Sequence, residues 1–120
     1  MQSWGKHVIL DIKGCNLARA TDPEYLKFFT KELVRVIEMV AYGEPQAVHF
    51  ADNTDLAGWT IVQLIETSSI IGHWLDINGD VYLDIFSCKD FDENRAKSLI
   101  EQCFSPEEIK LQIFYRDARK

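Results

Sequence analysis

The sequence predicts an α+β fold: a two-layer sandwich in which an antiparallel sheet carries two helices on one face. Along the chain, the apolar patterns run as strand, helix, three or four strands, helix and strand. Runs of strands with few helices are typical of antiparallel sheets that are covered on one face. The pair Asn78-Gly79 lies between two apolar segments and indicates a hairpin, which joins antiparallel strands.

The first half of the chain predicts one strand and one long helix. Residues 8–12 alternate in a strand-like pattern, which is expected to end near Gly14. Asp22-Pro23-Glu24 combines an N-cap residue, a proline for the first turn and an early acid, so a helix begins there. Apolar residues continue at helical spacing as far as Val40, and Gly43 is expected to end the helix.

The second half of the chain predicts mainly strands. Its apolar segments are short and are bounded by polar or glycine-containing stretches, which is the pattern of strands and turns. A second helix is expected over residues 92–103, because Ala96, Ile100 and Cys103 recur at helical spacing. The predicted strands cover residues 46–50, 59–65, 69–74, 80–88 and 109–115, with a polar loop at residues 51–58.

Composition limits the classes of function. A chain of 120 residues forms one domain, and its net charge of −6 argues against a nucleic-acid surface or an anionic membrane as partner. The start does not resemble a signal peptide, and no apolar run approaches the ~18 residues of a membrane span. Cys15, Cys88 and Cys103 are an odd number of cysteines without a C-x-x-C pair, so neither a disulfide framework, a zinc site nor another metal site is expected. The expected compartment is the reducing cytoplasm.

Residues 66–74, ETSSIIGHW, raise the possibility of a working nucleophile. Serines at the ends of strands usually cap or turn the backbone. Here, however, Thr60, His73 and Cys88 add a hydroxyl, a base and a thiol at defined separations. These are the groups that nucleophilic attack and proton transfer require.

Two stretches of the chain resemble a known family. The opening SWGKHVILDIKGC is similar to the start of the short bacterial and archaeal S-adenosylmethionine decarboxylases, S-L-G-R-H-V-x-A-E-F-x-x-C. The later GDVYLDIFSC resembles their G-Y-A-A-V-D-V-F-T-C. Chain length and element order agree as well, so the resemblance covers essentially the whole chain. It implies a self-cleaving enzyme of spermidine biosynthesis with a pyruvoyl cofactor, which assembles as a homodimer with sites shared across the interface.

The family's central motif, E-S-H-I-x-I-H-T-W-P-E, contains the serine that becomes the cofactor, and it can be aligned in two ways. One alignment matches Glu66 and Trp74 to the motif and places Thr67 at the cofactor position. That alignment puts Gly72 where the processing histidine belongs. It also needs one extra residue before the later cysteine.

The second alignment places Ser68 at the cofactor position. His73 then falls on the processing histidine, and Cys88 falls on the family cysteine without a gap. Thr60, eight residues before Ser68, falls on the hydroxyl residue that assists processing. Because these chemically required positions align in one frame, we choose Ser68 and predict cleavage between Thr67 and Ser68.

The resemblance gives each of these residues a role. Ser68 attacks the carbonyl of Thr67 and forms an ester, which a β-elimination then breaks to leave the pyruvoyl precursor. Thr60 stabilises the developing oxyanion, and His73 is the base of the elimination. Cys88 returns a proton to the substrate after decarboxylation.

Two further residues are expected at the substrate. Phe50 is the candidate for stacking on adenine, and Glu66 either contacts a polar substrate group or is solvated. Strict alternation along a strand puts Ser68 and His73 on opposite faces, since they are five residues apart. We therefore expect a bend or bulge at the cleavage point, with Gly72 as a second possible bulge.

Departures from the motif leave alternatives open. Thr67 stands where the family has Glu, and Ser69 stands where it has His. A pyruvoyl enzyme that decarboxylates a basic amino acid such as arginine or ornithine is therefore an alternative to one that uses S-adenosylmethionine. A second alternative is a relative that does not cleave itself and serves as a binding or regulatory subunit.

Overall fold

A computed structural model describes residues 4–120 as a six-stranded antiparallel sheet with three helices, which confirms the predicted fold class. In chain order the elements are β1 (Trp4–Lys13), α1 (Leu17–Ala20), α2 (Pro23–Val36), β2 (Ala41–Phe50), β3 (Gly58–Ile65), β4 (Ser68–Leu75), β5 (Val81–Ser87), α3 (Glu93–Phe104) and β6 (Glu108–Asp117). The strands lie in the order β2-β3-β4-β5-β1-β6. No helix in this part of the chain is long and apolar enough to cross a membrane.

The core lies between the helices and one side of the sheet, here called the helix face; the other side is called the open face. Burial alternates along the strands, so that Ile70 and Trp74 of β4 are buried while His73 between them is exposed. This alternation is the consequence of a strand with one covered side. The helices complete the core with Leu26, Phe29 and Leu33 of α2 and with Ala96, Ile100, Cys103 and Phe104 of α3.

Helix α2 begins as predicted but ends earlier. The side chain of Asp22 caps its first turn, and Pro23 occupies the first helical position. The prediction that the helix continues to Val40 and ends at Gly43 is wrong. Glu38 adopts a left-handed conformation (φ 60°), and the N–H of Met39 bonds to the carbonyl of Val34, which closes the helix in the manner of a Schellman motif.

Other boundaries shift by smaller amounts. β2 is twice as long as the predicted strand over residues 46–50, and its pairing with β3 is interrupted between Tyr42 and Gln46. The one-turn helix α1 was not predicted. The expected hairpin joins β4 and β5, and Gly79 in its turn has φ 74°. A Cβ there would lie 2.6 Å from the carbonyl oxygen of Cys15, so glycine is required by both conformation and space.

Candidate functional site

The turn between β3 and β4 holds the predicted cleavage point. It contains only Glu66 and Thr67, since Ile65 already pairs with Ser68. Thr67 has φ 66°, a conformation that costs a β-branched residue of order 1–3 kcal/mol. The Thr67–Ser68 peptide bond therefore follows a strained, exposed residue.

Both reacting groups of that peptide bond have defined hydrogen-bond partners. The carbonyl oxygen of Thr67 accepts a hydrogen bond from the backbone N–H of Cys88 (3.2 Å). The hydroxyl of Ser68 donates to the hydroxyl of Ser87 (2.7 Å). Ser68 is the first residue of β4, on the helix face, and pairs directly with Ser87 of β5. The end of β5 thus contacts both the nucleophile and the carbonyl it would attack.

Thr60 and His73 form a separate pair on the open face. They are opposite each other in β3 and β4, and the hydroxyl of Thr60 lies 2.8 Å from Nδ1 of His73. The chain does turn at the cleavage point, where Thr67 has φ 66°, but the second expected bulge, at Gly72, is wrong: from Ser68 to Trp74 the strand pairs without interruption on both sides. Five residues of strand separate the Cα atoms of Ser68 and His73 by about 17 Å, so the two side chains of one chain do not meet.

Cys88 and Glu66 lie at the same end of the sheet as the cleavage point. Cys88 directly follows β5 and is exposed, whereas Cys15 and Cys103 are buried. Burial, together with the nearby charge of Asp80, raises the pKa of Cys15 to about 12, which leaves it an unreactive thiol. Glu66 is exposed, and its N–H bonds to the carbonyl of Val40 in the segment after α2.

A mainly apolar pocket of about 470 Å³ opens beside the Thr60–His73 pair. Phe50, at the end of β2, lines it and is half exposed, so its ring is available for stacking. The predicted residues therefore fall into two groups at different places on one chain. Glu66, Thr67, Ser68 and Cys88 surround the turn, and Phe50, Thr60 and His73 surround the pocket.

Comparison with known proteins assigns the chain to a family. The model of the S-adenosylmethionine decarboxylase family matches residues 6–117. The chain belongs to the S-adenosylmethionine decarboxylase family. As a member it is an S-adenosylmethionine decarboxylase-like protein, of a family of carboxy-lyases. No match was found among the curated protein sequences.

A solved member of this family has the same fold. The crystal structure of the adenosylmethionine decarboxylase from Aquifex aeolicus superimposes with a TM-score of 0.80 at 20% sequence identity. The match covers 98% of this chain and 93% of that one. The sheet with its helix layer is therefore the fold of an adenosylmethionine decarboxylase.

One group near the pocket of this S-adenosylmethionine decarboxylase-like chain was missed by the sequence prediction. His49, next to Phe50, lies between two carboxylates, with Nε2 2.6 Å from Asp76 and Nδ1 against Asp52. These hydrogen bonds, that of Asp76 first, raise the pKa of His49 above its usual value. The ring joins the loop that follows β2 to the turn that follows β4. No sequence motif indicates this contact, since Asp76 is distant in the chain.

The raised pKa of His49 predicts that the folded protein becomes less stable as the pH rises. A pKa that folding raises contributes stability in full below the unfolded value of about 6.5, and this contribution is lost as pH rises through the folded value. His49→Gln is therefore expected to lower the melting temperature at about pH 6 more than at about pH 9. Thermal unfolding of the wild type and of His49→Gln, followed by circular dichroism, measures the difference in melting temperature at each pH. A difference in melting temperature that is the same at both pH values would contradict a raised pKa of His49.

Ser87 was missed as well, because the register of the hairpin does not follow from the Asn-Gly pair alone. In an antiparallel hairpin the residue numbers of paired positions have a constant sum. The register that pairs Trp74 with Val81 across the turn also pairs Ser68 with Ser87. The paired residue numbers add up to 155 here, whereas a two-residue turn made of Asn78 and Gly79 would give 157 and would pair Ser68 with Lys89.

Proposed function

We propose that the chain is the precursor of a pyruvoyl-dependent S-adenosylmethionine decarboxylase that cleaves itself between Thr67 and Ser68. Its product would serve as the aminopropyl donor for spermidine, in the reducing cytoplasm that suits three free thiols. One observation carries the proposal. The carbonyl of Thr67 accepts a hydrogen bond from the N–H of Cys88 at the end of β5, and the hydroxyl of Ser68 donates one to Ser87. Thr67 itself is a strained turn residue.

The cleavage chemistry uses these contacts. As Ser68 Oγ attacks the carbonyl carbon of Thr67, a new C–O bond forms, the C–N bond breaks, and the hydroxyl proton passes to the freed amino group. Negative charge develops on the carbonyl oxygen, where within this chain the N–H of Cys88, rather than the predicted Thr60, donates a hydrogen bond; the hydroxyl of Thr60 contacts His73 instead. Removal of the Cα proton of Ser68 then breaks the Oγ–Cβ bond and leaves a carboxylate on Thr67. Hydrolysis of the resulting dehydroalanine releases ammonia and leaves the pyruvoyl group.

His73 of the same chain does not reach Ser68, because about 17 Å of unbroken strand separate their Cα atoms, so we assign the base of the elimination to a second chain. We propose a homodimer in which His73, oriented by Thr60, serves the partner's Ser68. Leu64, Tyr82 and Phe114 lie on the open face and are each about half exposed, which suits burial in an interface.

The pocket supports an adenosyl substrate over a basic amino acid. Arginine or ornithine would need a carboxylate in the pocket, and none of the described residues that line it is acidic. Phe50 instead offers an aromatic face for the adenine ring or for the sulfonium charge. Exposed Cys88, beside the cleavage point, would return the proton to the substrate carbon. The pyruvoyl group supplies a ketone that condenses with the substrate amine and withdraws electrons during decarboxylation.

Intact-mass analysis of the purified protein under denaturing conditions tests the proposal. We expect two fragments that divide before Ser68, the C-terminal one with a blocked, hydrazine-reactive end. The cleaved protein should release carbon dioxide from carboxyl-labelled S-adenosylmethionine and not from labelled arginine or ornithine. A single full-length mass that persists for days would instead indicate a relative that binds without reacting.

A further inference from the structure

None of the cleavage steps described above assigns a function to the hydroxyl of Ser87, although it is hydrogen-bonded to the nucleophile. We infer that Ser87 is a positioning residue for self-cleavage, which accepts a hydrogen bond from the Ser68 hydroxyl and leaves the lone pairs of Ser68 Oγ free for the carbonyl of Thr67. This inference rests on the proposed cleavage at Ser68. It assigns to Ser87 the control of the first step, attack on the carbonyl.

The surroundings of Ser87 fix the direction of this hydrogen bond. Its side chain is completely buried, so water does not compete for it. The backbone N–H of Lys89 donates to Ser87 Oγ (2.9 Å), and the sulfur of Met39, 3.9 Å away, can only accept. With its own hydrogen toward Met39 and one lone pair taken by Lys89, Ser87 has an acceptor position left for Ser68.

The hydroxyl of Thr67 is a second acceptor near the Ser68 hydroxyl, but it lies farther away than the hydroxyl of Ser87. Thr67 Oγ1 lies 3.5 Å from Ser68 Oγ, at the limit of a hydrogen bond, whereas Ser87 Oγ lies at 2.7 Å. The hydroxyl of Thr67 is itself bonded to the carbonyl of Glu66. Ser87 is therefore the partner that sets the rotamer of Ser68.

Ser87 and Cys88 together hold the two atoms between which the new bond forms. The side chain of Ser87 contacts the attacking oxygen, and the N–H of Cys88 contacts the oxygen of the attacked carbonyl. Both come from consecutive residues of one strand end, so their spacing is fixed by the backbone. A displacement of about 1 Å between two reacting groups lowers the rate by up to about 100-fold, so contacts that hold the groups in place preserve that factor. Ser87 gains and loses no atom in the step.

An isosteric pair of variants tests the role of the hydroxyl. Threonine and valine have nearly the same shape, so Ser87→Thr and Ser87→Val differ mainly in the group that accepts the hydrogen bond. We expect Ser87→Thr to cleave at close to the wild-type rate and Ser87→Val to cleave about 10- to 100-fold more slowly, as measured by intact mass over time. Ser98→Ala, on the exposed side of α3, is the control and should cleave as the wild type does.

Hydroxylamine separates the first step from the second, since it breaks esters and leaves peptide bonds intact under mild conditions. Ser87→Val should accumulate no hydroxylamine-sensitive ester, because it is slowed before the ester forms. His73→Ala is blocked after that step and should accumulate the ester. Equal rates for the Thr and Val variants, or ester accumulation in Ser87→Val, would overturn the inference while wild-type cleavage stands. A wild-type chain that stays intact would overturn the proposed function and this inference with it.

Discussion

Replacing Ser68 with alanine is expected to leave the chain in one piece, whereas Thr67→Ala should still cleave. Without its hydroxyl, residue 68 has no nucleophile, and loss of a nucleophile slows enzymes by roughly 10⁴-fold or more. Thr67 contributes only its carbonyl, which alanine retains. Alanine lacks the β-branch at φ 66°, and a change in strain of about 1 kcal/mol alters a rate by less than tenfold.

This pair of variants also decides between the two alignments of the motif. If Thr67 were the cofactor residue, the outcomes would be exchanged, and Ser68→Ala would cleave one residue earlier. The masses of the fragments distinguish the two sites directly. The contacts of the turn favour Ser68, because its hydroxyl is held by Ser87 while that of Thr67 is bonded to the neighbouring carbonyl of Glu66. Cleavage of both variants at unchanged rates would exclude both residues.

Those parts of the fold that depend on local chemistry could be predicted from the sequence. The start of α2 follows from Asp22 and Pro23, and the β4–β5 hairpin follows from Asn78-Gly79, because caps and tight turns are determined within a few residues. The end of α2 could not be predicted in this way. Glu38 takes a left-handed conformation that glycine usually takes, so no residue type marks the stop.

The arrangement of the site was harder to predict because its contacts join distant segments. Alternation correctly placed Ser68 and His73 on opposite faces, but the requirement that a base reach the nucleophile led to the prediction of a bulge within one chain. β4 has none. The salt bridge of His49 to Asp76 likewise depends on where two loops meet, and periodicity carries no information about that.

Two inactive variants are expected to restore cleavage to each other when they are combined. Ser68→Ala retains His73 but has no nucleophile, and His73→Ala retains the nucleophile but has no base. In a mixed dimer with two-fold symmetry, the intact His73 of one chain faces the intact Ser68 of the other. With equal expression and random pairing, about half of the His73→Ala chains lie in mixed dimers and should be cleaved. Each variant expressed alone should stay whole.

The reciprocal combination is the matched control. When the wild-type chain is expressed with a chain that carries both Ser68→Ala and His73→Ala, each wild-type chain in a mixed dimer lacks a partner histidine. About half of the wild-type chains should then remain intact, although no residue in them has changed. If His73 acted within its own chain, every wild-type chain would cleave and the first combination would yield no fragments. The unbroken β4, which holds the two residues about 17 Å apart on opposite faces, favours cleavage between chains.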